Sequence, residues 1–351
     1  MKLISLNKKW KRRDITLLLE RLELYVSSGL TINKALEIAG EGISPKQKSS
    51  LESVRLAVES GGLLSQALTK NIGLSPTISS LIEHGELSGN LSSSLSASRS
   101  TMERGEELRK KCTSAMVYPV VIGLFATLLT VGLVRGVMPQ IIPMLKGLNV
   151  NLPFLTRVVI SISEGFLNYG IFGGGGFIVV SVVCITAFKK SQTFKKFCHV
   201  LISRVPIIGS LIYSYSLSMF LHSFGALVES GISSSRAYSD TIRTISLIPL
   251  RMRLQSTESD AKRGIPFGNI LSFNKIPSYV APLLRAGESS GTLGISIIRA
   301  ASIIDRDIEH SLKRLTSLIE PVMMAGMGLI VGAIALSIMM PIYDISRALQ
   351  K

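Results

Sequence analysis

Apolar residues at Ile15, Leu18, Leu19, Leu22, Tyr25 and Val26 advance in steps of 3, 1, 3, 3 and 1, which trace one stripe along an α-helix. The same steps recur at Leu217, Phe220, Leu221, Phe224, Leu227 and Val228, at a constant distance of 202 residues. Between such stripes the polar punctuation is that of short helices. Asp14 marks the start of a helix running to Gly29, and Thr31 the start of one ending at Gly40. Ser44-Pro45 and Ser75-Pro76 each place a capping serine before a proline in the first turn, where a missing amide costs nothing. Gly61-Gly62 and Gly85 read as stops, and from Asn90 to Lys111 a longer helical pattern follows. Strand alternation is absent, so the pattern predicts a compact antiparallel helical bundle, repeated from about Ile208 to Ser317.

The repeat is more than a shared stripe. At the same offset of 202, Ser28-Gly29 falls on Ser230-Gly231, Ala35 on Ala237, Gly62 on Gly264 and Gly85-Glu86 on Gly287-Glu288. Gly89 meets Gly291, Leu91 meets Leu293, Arg104 meets Arg306, Glu107 meets Glu309 and Pro119 meets Pro321. Unrelated amphipathic helices do not share glycines, a glutamate and a proline at one offset, so the chain is read as an internal duplication.

Three stretches have no polar face at all. Residues 115–134, 166–188 and 319–341 are apolar, the last with Glu320 at its edge, and a helix rising about 1.5 Å per residue crosses the roughly 30 Å hydrocarbon layer in such a length. With 46% hydrophobic but only 6% aromatic residues, the composition fits a membrane protein better than a large aqueous core. The expected plan is all-α and polytopic: a cytoplasmic bundle over 1–114, a span over 115–134, a periplasmic segment over 135–165 and a span over 166–188. A second cytoplasmic bundle over 189–318, a third span over 319–341 and a periplasmic tail over 342–351 complete it.

Charge orients this plan. Lys and Arg number 17 in residues 1–114 and 17 in residues 189–318, against 3 in residues 135–165 and 2 after Pro341. Basic residues close to spans hold a loop in the cytoplasm, which puts both bundles and the N-terminus inside and the C-terminus in the periplasm. Two like-facing copies need an extra crossing between them, and the second span provides it. The start shows neither an apolar h-region nor a small-residue cleavage site, so no removable signal peptide is expected. A net charge of +16 gathered beside spans, without interleaved aromatics, points to topology and anionic lipid rather than nucleic acid.

No chemistry-bearing motif emerges. Phosphate loops and HExxH are absent, the four histidines are scattered, and Cys112, Cys184 and Cys198 lack metal or disulfide spacing. Catalytic, cofactor and metal residues are therefore expected to be none. In "GELSG" and "GESSG" the glycines suit a tight link between helices, and Glu86 and Glu288 can aim a carboxylate at the free amides of the next helix. The alternative use of Glu86 and Glu288, and of the matched Arg104 and Arg306, is contact with a cytosolic partner. Within the spans, Gly328 and Gly332 have the four-residue spacing that lets helix backbones approach, which suits self-association. Pro119, Glu320 and Pro321 stand where a kinked helix could flex at the membrane edge.

Set in order, "SGLTINKAL" and "SGISSSRAY", "GELSGNL" and "GESSGTL", "VYPVVI", "LNVNLPFLTRVVISIS", "VPIIGSLI" and "IEPVMMAGMGLIVGAIALSIMMPIYDI" resemble the type II secretion system F protein family over nearly the whole chain. That family includes inner-membrane platform proteins of type IV pili. The short start "MKLISLNKKWKRR" looks more like the type IVb or conjugative thin-pilus branch. The resemblance implies a non-enzymatic platform in the bacterial inner membrane. Its partners would be a cytosolic assembly ATPase, a pilin or pseudopilin, other inner-membrane assembly proteins and further copies of itself. A small transporter or channel component, or a membrane-anchored scaffold, are the competing classes.

Overall fold

The computed structural model describes residues 10–136 and 206–349, with a few isolated positions between them. The predicted span at 166–188 and nearly all of 135–165 lie outside the described residues. In the first copy the helices are α1 (Arg12–Ser27), α2 (Ile32–Ala39), α3 (Pro45–Glu59), α4 (Leu64–Asn71), α5 (Pro76–Leu87) and α6 (Leu91–Gly136). The second copy supplies α7 (Pro206–Glu229), α8 (Ser234–Ile242), α9 (Ile248–Gln255), α10 (Glu258–Lys262), α11 (Phe267–Ile270), α12 (Val280–Ser289) and α13 (Leu293–Leu349). Strands are absent among the described residues. The described residues fall into two compact units, one built from both copies up to Lys111 and Glu309, the other starting at Cys112 and His310.

Local chemistry explains the boundaries. Ser44 Oγ accepts the Gln47 amide at 3.4 Å while Gln47 Oε1 accepts the Ser44 amide at 3.3 Å, a reciprocal capping box at the start of α3. Ser75 Oγ likewise accepts the Ile78 amide at 3.5 Å ahead of Pro76 in α5. Lys11, not Asp14, is the N-cap of α1. Asp14 sits inside the first turn, where its charge favours the helix N-terminus, and accepts Gln47 Nε2 at 2.9 Å to tie α1 to α3. Gly85 does not stop α5, which runs on to Leu87.

The stripe read from the sequence is the core of each copy. Leu18, Leu19 and Leu22 of α1 are buried with Leu36, Leu68, Leu81, Ile82 and Leu95, and each such leucine contributes about 1.5–3 kcal/mol relative to exposure. In the second copy the corresponding stripe of α7 packs an aromatic cluster. Phe224 lies 5.0 Å from Phe267 and 5.8 Å from Phe220 between ring centroids, and Tyr238 stands edge-on to both Phe220 and Phe224. The buried Tyr238 hydroxyl donates to the Leu254 carbonyl at 3.2 Å and pairs with Thr257 Oγ1 at 2.8 Å. Burial, with the Thr257 hydrogen bond opposing it, pushes this phenol up to about 12.

Tyr238 meets Leu254 and Thr257 where the second copy breaks the counterpart of α3 into α9 and α10, and there the repeat slips. The sequence pairs Gly62 with Gly264, but Gly61 (φ 89°) is the residue that takes the left-handed conformation adopted by Gly264 (φ 79°). The N-caps of α4 and α11 are Leu63 and Pro266, one residue out of the 202 register, which returns by Glu86 and Glu288.

Among the described residues three helices, α6, α7 and α13, are long and apolar enough to cross a membrane. They are not alike. The apolar stripe of α7 is consumed inside the bundle, with Leu217, Phe220, Leu221, Phe224 and Leu227 buried. By contrast Val120, Leu124, Phe125 and Leu128 of α6 and Val322, Met324 and Leu329 of α13 stand exposed, a surface suited to lipid and hostile to water. The spans predicted at 115–134 and 319–341 thus lie within α6 and α13, each continuous with its bundle, and the predicted tail is helical as far as Leu349.

Gly85 and Gly287 are close-approach positions. A Cβ on Gly85 would collide with Ser94 and come within 2.9 Å of the Asn90 carbonyl, and one on Gly287 would collide with Ser296 and lie 3.2 Å from Leu293 Cα. Gly89 (φ 72°) and Gly291 (φ 71°) serve instead as the left-handed turn. Gly85→Ala is expected to lower stability by about 1–3 kcal/mol through overpacking, with Ser94→Gly restoring the part due to the serine side chain, whereas Gly89→Ala loses about 1–2 kcal/mol through φ strain that Ser94→Gly does not relieve. Thermal unfolding of the detergent-purified chain and these variants is the check.

Candidate functional site

The repeated Gly-Glu words converge on helix starts, but not on those of the next helices. Glu86 reaches back to α4: the Leu64 amide donates to its Oε1 at 2.7 Å and the Ser65 amide to its Oε2 at 3.3 Å, with Ser65 Oγ at 3.4 Å. Glu288 does the same for α11, accepting the Phe267 amide at 2.6 Å and the Gly268 amide at 3.4 Å. A carboxylate accepting amides in a first turn satisfies orphan donors and meets the positive end of the helix dipole. Both side chains are half-buried and already engaged.

A seam between the copies lies in the unit they share. Ser80 Oγ of α5 donates to Asp240 Oδ2 of α8 at 3.0 Å, and Arg236 Nη2 donates to Glu83 Oε2 at 3.2 Å. Arg236 Nε is also 3.8 Å from Asp240. Close packing accompanies the charges: a Cβ on Gly231 would lie 3.4 Å from His84 Nε2, and one on Gly105 of α6 would press within 2.8 Å of Met219 Cε of α7. The seam is polar and partly exposed, so its charges set register more than they add stability.

Further along, Lys111 Nζ bridges the two equivalent glutamates, Glu107 at 2.9 Å and Glu309 at 2.7 Å. Its hydrogen bonds, Glu309 first and then Glu107, hold the ammonium above its ordinary range. Nearby on α13, Asp305 accepts a hydrogen bond from Ser218 and contacts His222 Nε2 at 2.7 Å. Ser218 and His222 are buried on α7. This is not a nucleophile–base relay, because the carboxylate stands between the hydroxyl and the imidazole; it is a clamp of α7 on α13. Burial opposes ionisation of Asp305, yet the hydrogen bonds from His222 and Ser218, with the charges of His222 and Lys111, outweigh it and hold the carboxyl below its usual range.

None of these seam residues carries a sequence motif. Apart from Lys111, Glu107 and Glu309, which are matched across the repeat, their signal is divergence between the copies. At the 202 offset Glu83 faces Arg285, Arg236 faces Lys34, Asp240 faces Ile38, Ser80 faces Pro282, His222 faces Glu20 and Asp305 faces Glu103. Arg104 and Arg306, by contrast, are matched, exposed and without an ion pair among the described residues. Pro119 lies inside α6, and Glu320 and Pro321 lie inside α13, so each proline removes one helical hydrogen bond at the edge of an apolar stretch. A Cβ on Gly328 or Gly332 would meet nothing within 4 Å, so both face open space in the single chain.

The clamp yields a pH dependence. A depressed carboxyl contributes stability that is complete above its unfolded pKa, about 3.9, and lost as pH falls through the folded value below it. Asp305→Asn is therefore expected to lower stability by about 1–3 kcal/mol at pH 7, the range for hydrogen bonds to a charged group, with the gap to the parent closing below about pH 4. Unfolding midpoints across that range, for parent and variant, read the difference.

Comparison with known proteins repeats the internal symmetry. The family described as Type II secretion system (T2SS), protein F matches residues 18–139 and again residues 220–341, more than half of the chain, with both ends 202 apart. The Type IV pilus assembly protein PilC of Pseudomonas aeruginosa is 23% identical over 348 residues, covering 98% of this chain and 93% of that protein. A protein of the same name from Thermus thermophilus is 27% identical over 339 residues, covering 95% of this chain and 82% of its own. The Type II secretion system protein F of Pseudomonas aeruginosa is 26% identical over 342 residues, covering 95% and 83%. With its bundle matched twice and its apolar helices α6 and α13 continuous with those bundles, this multi-pass membrane chain belongs to the type II secretion system protein F family.

Proposed function

We propose that the protein is an inner-membrane assembly platform of a type IV pilus or related pseudopilus, coupling a cytosolic assembly ATPase to the extraction and polymerisation of pilins. The observation that carries the reading is the continuity of α6 and α13, each a single helix from a bundle core into an apolar, outward-facing stretch. A displacement imposed on a bundle then passes into the bilayer without an intervening loop. Relatives named for pilus assembly and for secretion support the setting. The platform supplies no reaction of its own; work arrives from the ATPase. In this reading both bundles face the cytoplasm and the C-terminus is periplasmic, an orientation supported by the basic residues near the spans.

Because Glu86 and Glu288 are engaged in capping, we assign motor docking to the exposed pair Arg104 and Arg306. Pro119 and the Glu320-Pro321 pair are the flexing points, and Gly328 and Gly332 the face for a further copy or a pilin helix. Deleting the gene is expected to abolish surface fibres in electron micrographs, with the parent restoring them. Arg104→Glu with Arg306→Glu is expected to insert and unfold like the parent but to lose most ATPase co-purification and fibres. Normal fibres in the deletion strain contradict the platform role; undiminished ATPase capture by the double variant contradicts the docking assignment.

A further inference from the structure

The two copies differ where α1 and α7 begin. Glu23 of α1 pairs with Arg99 of α6 at 3.2 Å, while Trp10, Arg12 and Ile15 line one groove of about 520 Å³ with Met102 and Gly105 further along α6. Helix α1 therefore runs antiparallel to α6, and its start stands toward the end at which α6 continues into its apolar stretch. From Gly105 to Ala115 that single helix rises about 15 Å. A headgroup layer about 5–8 Å deep and the long stem of a lysine or arginine cover most of this distance.

The start of α1 is a run of cations. Lys11, Arg12 and Arg13 are all exposed, and none has an ion pair among the described residues. Neighbouring carboxylates are engaged elsewhere: Glu103, Glu106 and Glu107 of α6 pair with Arg99, Lys110 and Lys111, and Asp14 accepts Gln47. Lys11 is the N-cap and Arg12 and Arg13 open the helix, where the positive end of the helix dipole opposes a cation. Charges so placed weaken α1 and do not help it. The second copy carries none of them. At the 202 offset Trp10, Lys11, Arg12 and Arg13 face Ile212, Tyr213, Ser214 and Tyr215, and no residue from Pro206 to Ser216 is charged. There α7 extends upstream to Pro206, on the side of the chain that leads back to the apolar stretch at 166–188.

We propose that Trp10 to Arg13 form a tether that docks the start of α1 on anionic lipid headgroups of the leaflet that α6 enters. Clustered lysines and arginines beside a membrane attract acidic lipid, and tryptophan favours the interface. Charge thus does for the start of α1 what chain connection does for α7. The inference rests on α6 crossing a membrane, and it holds whether or not the protein is an assembly platform.

Trp10 is the only tryptophan in the chain, so its fluorescence reads the docking directly. The full chain is placed in nanodiscs of phosphatidylcholine alone or with about 30% phosphatidylglycerol, each doped with a lipid bearing a nitroxide on its headgroup. Quenching of Trp10 is expected to be about twofold stronger with phosphatidylglycerol, and to fall back in about 0.5 M salt, where the Debye length shrinks to about 4 Å. Lys11→Gln with Arg12→Gln and Arg13→Gln is expected to remove the difference between lipids. Its unfolding midpoint in detergent is expected to equal or exceed the parent's, because cations leave a helix start. Arg12→Lys with Arg13→Lys is expected to keep the difference, since a charged surface does not require the guanidinium fork. Equal quenching in the two lipids overturns the proposal. So does an undiminished difference in the glutamine variant, or a lowered midpoint, which assigns the cations to the bundle.

Discussion

A short helix packed inside a bundle begins with amide groups that no helical carbonyl can reach, and the bundle holds only if an acceptor is brought to them. Here the acceptor is a carboxylate from α5 or α12, delivered to the first turn of α4 or α11 about twenty residues upstream. Its neighbour Gly85 or Gly287 lacks a side chain, which lets the helix carrying the glutamate lie close against the start of α6 or α13. Gly89 and Gly291 then turn the chain straight into those long helices. Cap, close approach and turn occupy five consecutive residues just ahead of each long helix.

Duplication put this device in the chain twice, and the two copies then took different work. Positions that agree across the repeat hold each bundle together: the capping glutamates, the close-packed glycines and the turn glycines. Positions that differ supply most of the polar contacts between the bundles, as with Glu83 and Arg236 and with Ser80 and Asp240, and they form the clamp of Asp305 on Ser218 and His222 within the second, while the bridge from Lys111 to Glu309 uses matched ones. The cores also diverged, since Leu18, Leu22 and Leu36 have become Phe220, Phe224 and Tyr238. The tyrosine hydroxyl finds its partners where α9 gives way to α10, which is where the repeat loses register.

Elements whose signals are local were legible in the sequence. The stripe of α1, the Ser-Pro starts of α3 and α5 and the apolar lengths of α6 and α13 each depend on neighbours within a turn or two. The target of Glu86 was not, because a capping pattern read along the chain points forward to Leu91 while the fold brings Leu64 closer. Gly85 read as a stop for a similar reason: a glycine needed for packing and one needed for a turn look alike until the facing Ser94 is known. The register slip lay hidden in a gap-free match, since Gly61 and Gly62 are adjacent and only the backbone shows which one turns. The groove draws its walls from segments far apart in the chain, a juxtaposition that no local pattern announces.

The most direct test of the capping device is amide hydrogen exchange on the full chain in detergent, read on peptides covering Leu64-Ser65 and Phe267-Gly268. The account predicts slow exchange at both sites, with Glu86→Gln releasing only the first pair and Glu288→Gln only the second. Fast exchange at these amides in the parent, or no change in either variant, would contradict it.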